Sequence, residues 1–355
     1  MKKYTASKWI MSFLCCLLAI LLLLSAIAFV VDPFMQFRTR DNAYMLVEWY
    51  VSPGLVKNHD YNTLIVGSSM IQNFDMDLFR QELGVKPLHI GVGGMNLAEI
   101  KQVLNLAYET QKADQFFVCI DLMSFASETD KSRLPQHLFE DDILSNLRYL
   151  LSYEVWFRYL PVDVALVIAD RAGIKLPASY MTKKSIDKLG DWRADYSVWG
   201  GQMVIDNYIK GKYSVSEVDS TNLLQKLTSN IDAFFNECAF EKGEHIFFFP
   251  PYSSLCWAEY QNRGQFEILM QAKQYFIEKA AEQNIAVYDF QSADFTMDLN
   301  HYKDTTHYMP HINDWMVECF ANQEYLVANQ NAKAFEQTLR ENTQLFRDKY
   351  PELFH

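Results

Sequence analysis

The sequence predicts an α/β fold: a three-layer α/β/α domain with a mostly parallel five-stranded sheet, a large helical insertion after the third strand, and one N-terminal transmembrane helix. Three observations carry this prediction. Short apolar runs bounded by turn residues alternate with helix-period segments, the pattern of a parallel sheet covered on both faces. That rhythm stops between about residues 125 and 240, where helical patterns occur without a convincing strand pair. At the N-terminus, Trp9 to Val31 form 23 consecutive residues without a formal charge, enough to span a bilayer.

Lys2, Lys3 and Lys8 precede the apolar run without an acidic neighbour, whereas Asp32, Arg38, Arg40 and Asp41 follow it in mixed charge. The positive-inside rule therefore puts residues 1–8 in the cytoplasm and the chain after about residue 32 outside it. The rival is a cleaved signal peptide ending near Ala26-Ile27-Ala28, but the run continues through Phe29-Val30-Val31, which favours an uncleaved anchor over residues 9–31. Residues 32–59 read as a connecting segment, with Val31-Asp32-Pro33-Phe34 breaking the helix, and 60–355 as the α/β domain.

Within that domain, Asn62 to Val66 is the first strand, ending at Gly67. A helix follows from Asp75, a plausible N-cap, to Leu83. Pro87 to Ile90 is the second strand, and Asn96 with Glu99 marks a capping box opening a helix to about Gln111. Gln115 to Ile120 is the third strand. The insertion carries helical stretches at Asp141 to Ser152, Pro161 to Ala172 and Thr221 to Phe240. His245 to Phe249 and Ile285 to Asp289 are strands four and five, separated by a helix from about Tyr260 to Gln283. Pro310 suits the first position of another helix, and Asn322 to Lys349 reads as mostly helical.

Outside the N-terminal lysines, 29 basic side chains face 44 acidic ones, a formal charge of −15. Such a domain is repelled by nucleic acid and by an anionic membrane surface, so no nucleic-acid partner is expected. Cys119, Cys238, Cys256 and Cys319 lie beyond the anchor, where any of three pairings is open; none of the six cysteines has the Cys-x-x-Cys spacing of a zinc site.

Ligands of open parallel sheets bind beyond the carboxyl ends of the strands. Ser68 and Ser69 follow strand one, Gly94 follows strand two, Asp121 and Ser124 follow strand three, and Asp304-Thr-Thr-His307 comes after strand five. A histidine held by an aspartate three residues earlier can act as general base for a serine hydroxyl. The bland alternatives are a structural histidine and an ordinary Gly-Ser-Ser turn. The Gly94 N–H could face a developing oxyanion, or Gly91, Gly93 and Gly94 could simply form a tight turn. His301, Asp304, His307 and His311 also leave a zinc reading open, although Pro310 prevents one helix from presenting all four.

These residues resemble the SGNH (GDSL-like) hydrolase superfamily. Gly67-Ser68-Ser69-Met70 looks like its first block, which implies Ser69 as the nucleophile; Gly94 looks like the second-block oxyanion glycine; Asp304 and His307 match the last-block Asp-x-x-His. The resemblance implies an SGNH/flavodoxin-like sheet and an oxyanion hole formed by the Ser69 and Gly94 N–H groups. Two positions depart from the pattern. Ser68 replaces the first-block aspartate, and after strand three the chain reads Cys119-Ile-Asp121-Leu-Met-Ser124 in place of the third-block Gly-x-Asn-Asp. Asp121, Ser124 and Ser68 are thus site-lining candidates, with the side-chain oxyanion donor unassigned.

Together with the anchor, this is similar to the membrane-anchored SGNH-like proteins of bacterial envelope polymer modification, such as those of lipoteichoic acid D-alanylation and of alginate and peptidoglycan O-acetylation. The resemblance implies an esterase or O-acyltransferase acting on an acylated glycan or envelope polymer, beside a membrane-bound O-acyltransferase, with no metal and no cofactor. The alternative is a non-catalytic SGNH-like scaffold partner of such a system.

Overall fold

A computed structural model describes residues 6–40, 42–43, 47–126, 132–174, 184–185, 200–211, 220–328 and 331–354. Lys2 and Lys3, used above for orientation, lie outside the described residues. The chain packs into two compact units: residues 1–59 with 134–186, and residues 60–133 with 187–355.

The larger unit is built on a five-stranded, all-parallel sheet: β1 (Thr63–Gly67), β2 (Pro87–Gly91), β3 (Gln115–Cys119), β4 (Glu244–Phe249) and β5 (Ala286–Asp289), in the order β2-β1-β3-β4-β5. The predicted fold class is therefore found, strand for strand. Register sets which side chains share a face. Phe116 lies beside His245 and Phe117 beside Ile246, so Cys119 lies beside Phe248. Phe117 and Phe248 accordingly pack on Phe79 and Phe320 on one side of the sheet. Phe247 and Phe249 face Phe276 on the other. Phe79 belongs to α3 (Met76–Leu83) and Phe320 to α11 (Pro310–Asn322); Phe276 belongs to α10 (Phe266–Glu282). Each buried phenylalanine contributes roughly 1.5–3 kcal/mol. Strands covered on both faces are mostly apolar, which is why they read as near-continuous apolar runs.

Local signals fix the helix ends. The Asp75 carboxylate accepts N–H bonds from Asp77 and Leu78 at the start of α3. Asn96 and Glu99 form the expected capping box on α4 (Leu97–Thr110). Pro310 occupies the first turn of α11. The helix predicted from Tyr260 is two, α9 (Ser254–Asn262) and α10, parted at Gly264 with φ +69°. The C-terminal helix likewise begins late, as α12 (Ala332–Lys349), after Gln323 closes α11 in the left-handed region. A buried Lys273–Asp289 pair at 2.6 Å, which the sequence did not announce, joins α10 to the end of β5.

In the smaller unit, α1 (Ala6–Val31) is long and apolar enough to cross a membrane and is almost entirely exposed. It ends where predicted: Asp32 turns left-handed (φ 46°), and its buried carboxylate accepts from the Gln36, Phe37 and Arg38 N–H groups and the Tyr149 hydroxyl. The expected connecting segment is different. It holds α2 (Glu48–Asn58), buried from Val51 to Val56. A Cβ on Gly54 would lie 2.3 Å from the Phe34 carbonyl oxygen, so glycine here lets α2 lie against the turn after the anchor. Contacts with a distant segment hid this helix from the sequence.

The insertion is also divided. Residues 134–186 belong to the smaller unit, where α5 (Ile143–Leu150), a π-helical turn (Glu154–Tyr159) and α6 (Leu160–Arg171) enclose a core with Ala28, Phe34, Leu138 and Tyr149. A two-residue antiparallel pair, Asn42–Ala43 with Lys184–Ser185, completes it. The rest of the insertion, with α7 (Gln202–Ile209) and α8 (Leu223–Glu237), belongs to the sheet unit. All six cysteines are free thiols, so none of the three possible pairings is formed.

Candidate active site

Where β1 ends, Gly67 must be glycine for lack of room: a Cβ would sit 2.6 Å from the Cys119 Cβ on β3. Ser68 then caps a 3-10 turn, Ser69–Ile71, with its hydroxyl accepting from the Met70 N–H. Gln72 ties this turn to β2 through the Gly91 carbonyl at 3.1 Å. Ser68 is thus buried and structural, while Ser69 is half-buried at the carboxyl edge of the sheet.

The Asp304/His307 loop is closed by its own backbone. Tyr302 and Tyr308 form an antiparallel bridge, and the Lys303 N–H donates to the His307 carbonyl at 2.8 Å. Asp304 Oδ1 accepts from the Thr306 and His307 N–H groups at 2.9 and 2.7 Å, an aspartate-initiated turn. Ser253, at the N-terminus of α9, donates its hydroxyl to the Thr305 carbonyl, and Tyr302 donates to the Pro251 carbonyl. The two loops are then joined at one atom. The Tyr308 hydroxyl and Asn313 Nδ2 both donate to the Met70 carbonyl, at 2.8 and 3.1 Å, beside Ser69.

The result is a continuous relay. Ser69 Oγ is 2.7 Å from His307 Nε2, and His307 Nδ1 is 2.8 Å from Asp304 Oδ2 and 3.0 Å from Oδ1. Nδ1 is therefore the protonated nitrogen next to the carboxylate, which leaves Nε2 as acceptor for the serine proton. Burial opposes a charge on Asp304, but the His307 hydrogen bond and charge outweigh it and hold its pKa below the ordinary carboxylate value. Burial also works against His307 protonation. The Asp304 hydrogen bond and charge override it, and the imidazole pKa lies above its usual value.

Asp121 follows β3 and its carboxylate accepts from the Met123 N–H at 3.1 Å. Burial raises its pKa, opposed by the Tyr252 hydrogen bond, the Met123 N–H and the positive charge of His307, whose field it shares. Ser124 spends its hydroxyl on the Asp121 carbonyl. Gly94 lies in the exposed turn after β2 with φ +60°, and its carbonyl accepts from Arg133 at 2.6 Å. Arg133 is itself clamped by the fully buried Glu99, the same residue that closes the α4 capping box. The capping signal for Glu99 was legible; its second task of holding the Gly93–Gly94 turn through Arg133 was not.

The four residues of the zinc reading separate into two pairs. His307 commits both ring nitrogens to Ser69 and Asp304, whereas His301 Nδ1 meets His311 Nε2 at 2.9 Å. Among the described residues, no group of three histidine, cysteine or acidic side chains is arranged to hold a metal ion. Cys119 and Cys256 are no rival nucleophiles, because burial pushes both thiols well above their usual pKa. Of the insertion, the start of α7 reaches this loop: the Gly201 N–H donates to the Leu299 carbonyl just before Asp304.

No family model matches the chain, and no curated protein matches it.

Proposed function

We propose that the chain is a membrane-anchored serine esterase or O-acyltransferase of SGNH type, acting on acyl esters of cell-envelope glycans or polymers through an acyl-serine intermediate. The observation that carries this reading is the unbroken Ser69–His307–Asp304 relay, built from two loops 238 residues apart in sequence. In the first half-reaction Ser69 Oγ attacks the acyl carbonyl and its proton passes to His307 Nε2. Asp304 stabilises the imidazolium, which then protonates the departing alkoxide. In the second, His307 takes a proton from water or a sugar hydroxyl, that oxygen displaces Ser69 from the acyl group, and His307 returns the proton to Ser69 Oγ. The Ser69 and Gly94 N–H groups are the proposed oxyanion donors.

The third-block position is held by Asp121. Burial raises the pKa of this carboxyl, against the Tyr252 hydrogen bond and the Met123 N–H, and it shares the field of His307. The intact relay favours an enzyme over a non-catalytic scaffold.

We place the N-terminus in the cytoplasm and the sheet unit outside, on the strength of the lysines before α1. Burial of Ala28 in the core of the smaller unit supports retention of the anchor, since cleavage after Ala28 would detach the anchoring helix from that core. The proposed partners are the lipid bilayer through residues 9–31, an acylated glycan or polymer, and a membrane-bound O-acyltransferase. The deciding experiment is labelling of the full chain in detergent with a fluorophosphonate. Ser69 should be labelled, with loss in Ser69→Ala and His307→Ala; labelling that persists in Ser69→Ala overturns the nucleophile, and folded protein that neither labels nor turns over an ester supports the scaffold reading. Product analysis with an added sugar acceptor separates transfer from hydrolysis.

A further inference from the structure

α5 is inside out for a helix in water. It buries Ser145 and Tyr149 and exposes Ile143 (81%), Leu144 (76%) and Leu147. The apolar exposure continues through Leu151, Tyr153, Phe157 (74%) and Ile168. Among the described residues outside α1, only Met203, Ile209 and Leu345 share such exposure beyond the stretch 143–174. Leu144, Leu147 and Leu151 also line a cleft of about 770 Å³ with Phe34 and Tyr50. A patch of this kind is stable in water only when something apolar covers it.

The packing of α1 identifies the cover. Ala28 is fully buried in one cluster with Leu138, Tyr149, Val155, Tyr159 and Leu160, Val31 packs against it, and the half-buried Leu24 and Ser25 lie on the same helical face, four and three residues before Ala28. At 1.5 Å per residue Leu24 lies about 10 Å from Val31 along the axis. All these α1 residues belong to the apolar run itself. The helices that share this cluster with Ala28 and Val31 therefore sit level with the outer end of the span, not beyond it. Interfacial helices bury their apolar faces about 5–10 Å into the headgroup and acyl boundary, the same depth.

We propose that α5, the π-helical turn and α6 form a second membrane contact: an amphipathic surface that embeds in the outer leaflet around the exit of α1, with Ile143, Leu144, Leu147 and Phe157 in lipid. The inference rests on α1 spanning the membrane, and extends that reading from a single tether to a seated unit. A protein partner covering the same face is the competing outcome.

The test uses the full chain with Cys15→Ala and Cys16→Ala, leaving four buried cysteines. Single cysteines replace Leu18 in the anchor, Leu144, Phe157, or the exposed Glu278 of the sheet unit, each carrying an environment-sensitive fluorophore. The protein is reconstituted alone, at low density, in uncharged phosphatidylcholine vesicles holding a nitroxide near the headgroups or deep in the acyl chains. The expected result is that the deep nitroxide quenches Leu18→Cys, the shallow one quenches Leu144→Cys and Phe157→Cys, and neither quenches Glu278→Cys. Quenching of Leu18→Cys with Leu144→Cys and Phe157→Cys open to aqueous iodide overturns the second contact and leaves the anchor standing. Emission at Leu144→Cys that changes with protein density, without lipid quenching, overturns it in favour of a second copy. An unquenched Leu18→Cys overturns both.

Discussion

α8 and α5 are both strongly two-faced helices, and they turn opposite faces inward. α8 buries Leu223, Leu227, Ile231 and Phe234 and presents Gln225, Lys226 and Ser229 to solvent. α5 buries Ser145 and Tyr149 and presents leucines. The helix code is the same in each, apolar residues at a spacing of three and four. The difference lies in what the outer face meets. The sheet unit has an aromatic core and a polar relay held at its strand ends. The smaller unit, which contains α1, exposes an apolar face instead.

The largest expected effect breaks the relay of the sheet unit. Ser69→Ala or His307→Ala should lower turnover of an ester by about 10⁴–10⁶-fold with the fold unchanged by circular dichroism. Activity within tenfold of the parent would show that the relay is structural. Next is Asp304→Asn, expected to cost about 10³–10⁴-fold. It also has a pH signature. The base must be neutral, so kcat/KM should fall as pH drops through the His307 pKa, which Asp304 holds above 6.5. Removing that carboxylate should move the acid limb of the profile to lower pH, and an unmoved limb would separate Asp304 from the titration.

The comparison between units is sharpened by one substitution made in each. Phe248→Ala empties the sheet core and should destabilise by about 3–5 kcal/mol, read as a lower unfolding midpoint. Phe157→Ala, on the exposed face, should stay within about 0.5 kcal/mol in detergent while weakening lipid quenching of a neighbouring label. Equal losses would mean that both faces are cores. A further test is at Asp121. Asp121→Asn places an uncharged donor there and should leave activity within a few-fold, whereas Asp121→Ala should lose about 10²-fold in kcat; identical rates for the two would remove Asp121 from the oxyanion site.

Much of the sheet unit was legible because its signals are local. Alternating strands and helices, the Asp75 cap, the Asn96/Glu99 box and Pro310 each state their structure within a few residues. The Asp304–His307 contact is local as well, since the turn that holds the imidazole is made by the same aspartate. α2 was missed, and so was the split of the insertion, because both depend on packing between segments some 80 to 120 residues apart, such as Phe34 on Tyr149.

By itself, then, the sequence determined the α/β class, the strand positions, the apolar span and the pairing of Asp304 with His307, all set by period, turn chemistry and short spacing. Tertiary structure alone decided that Ser69 reaches His307. No local preference brings those loops together; the Met70 carbonyl does so, by accepting from Tyr308 and Asn313 at the edge of a sheet whose register was fixed elsewhere. It also decided which face of α5 turns outward, because an amphipathic pattern records two faces and leaves their solvents to the neighbours that pack against them.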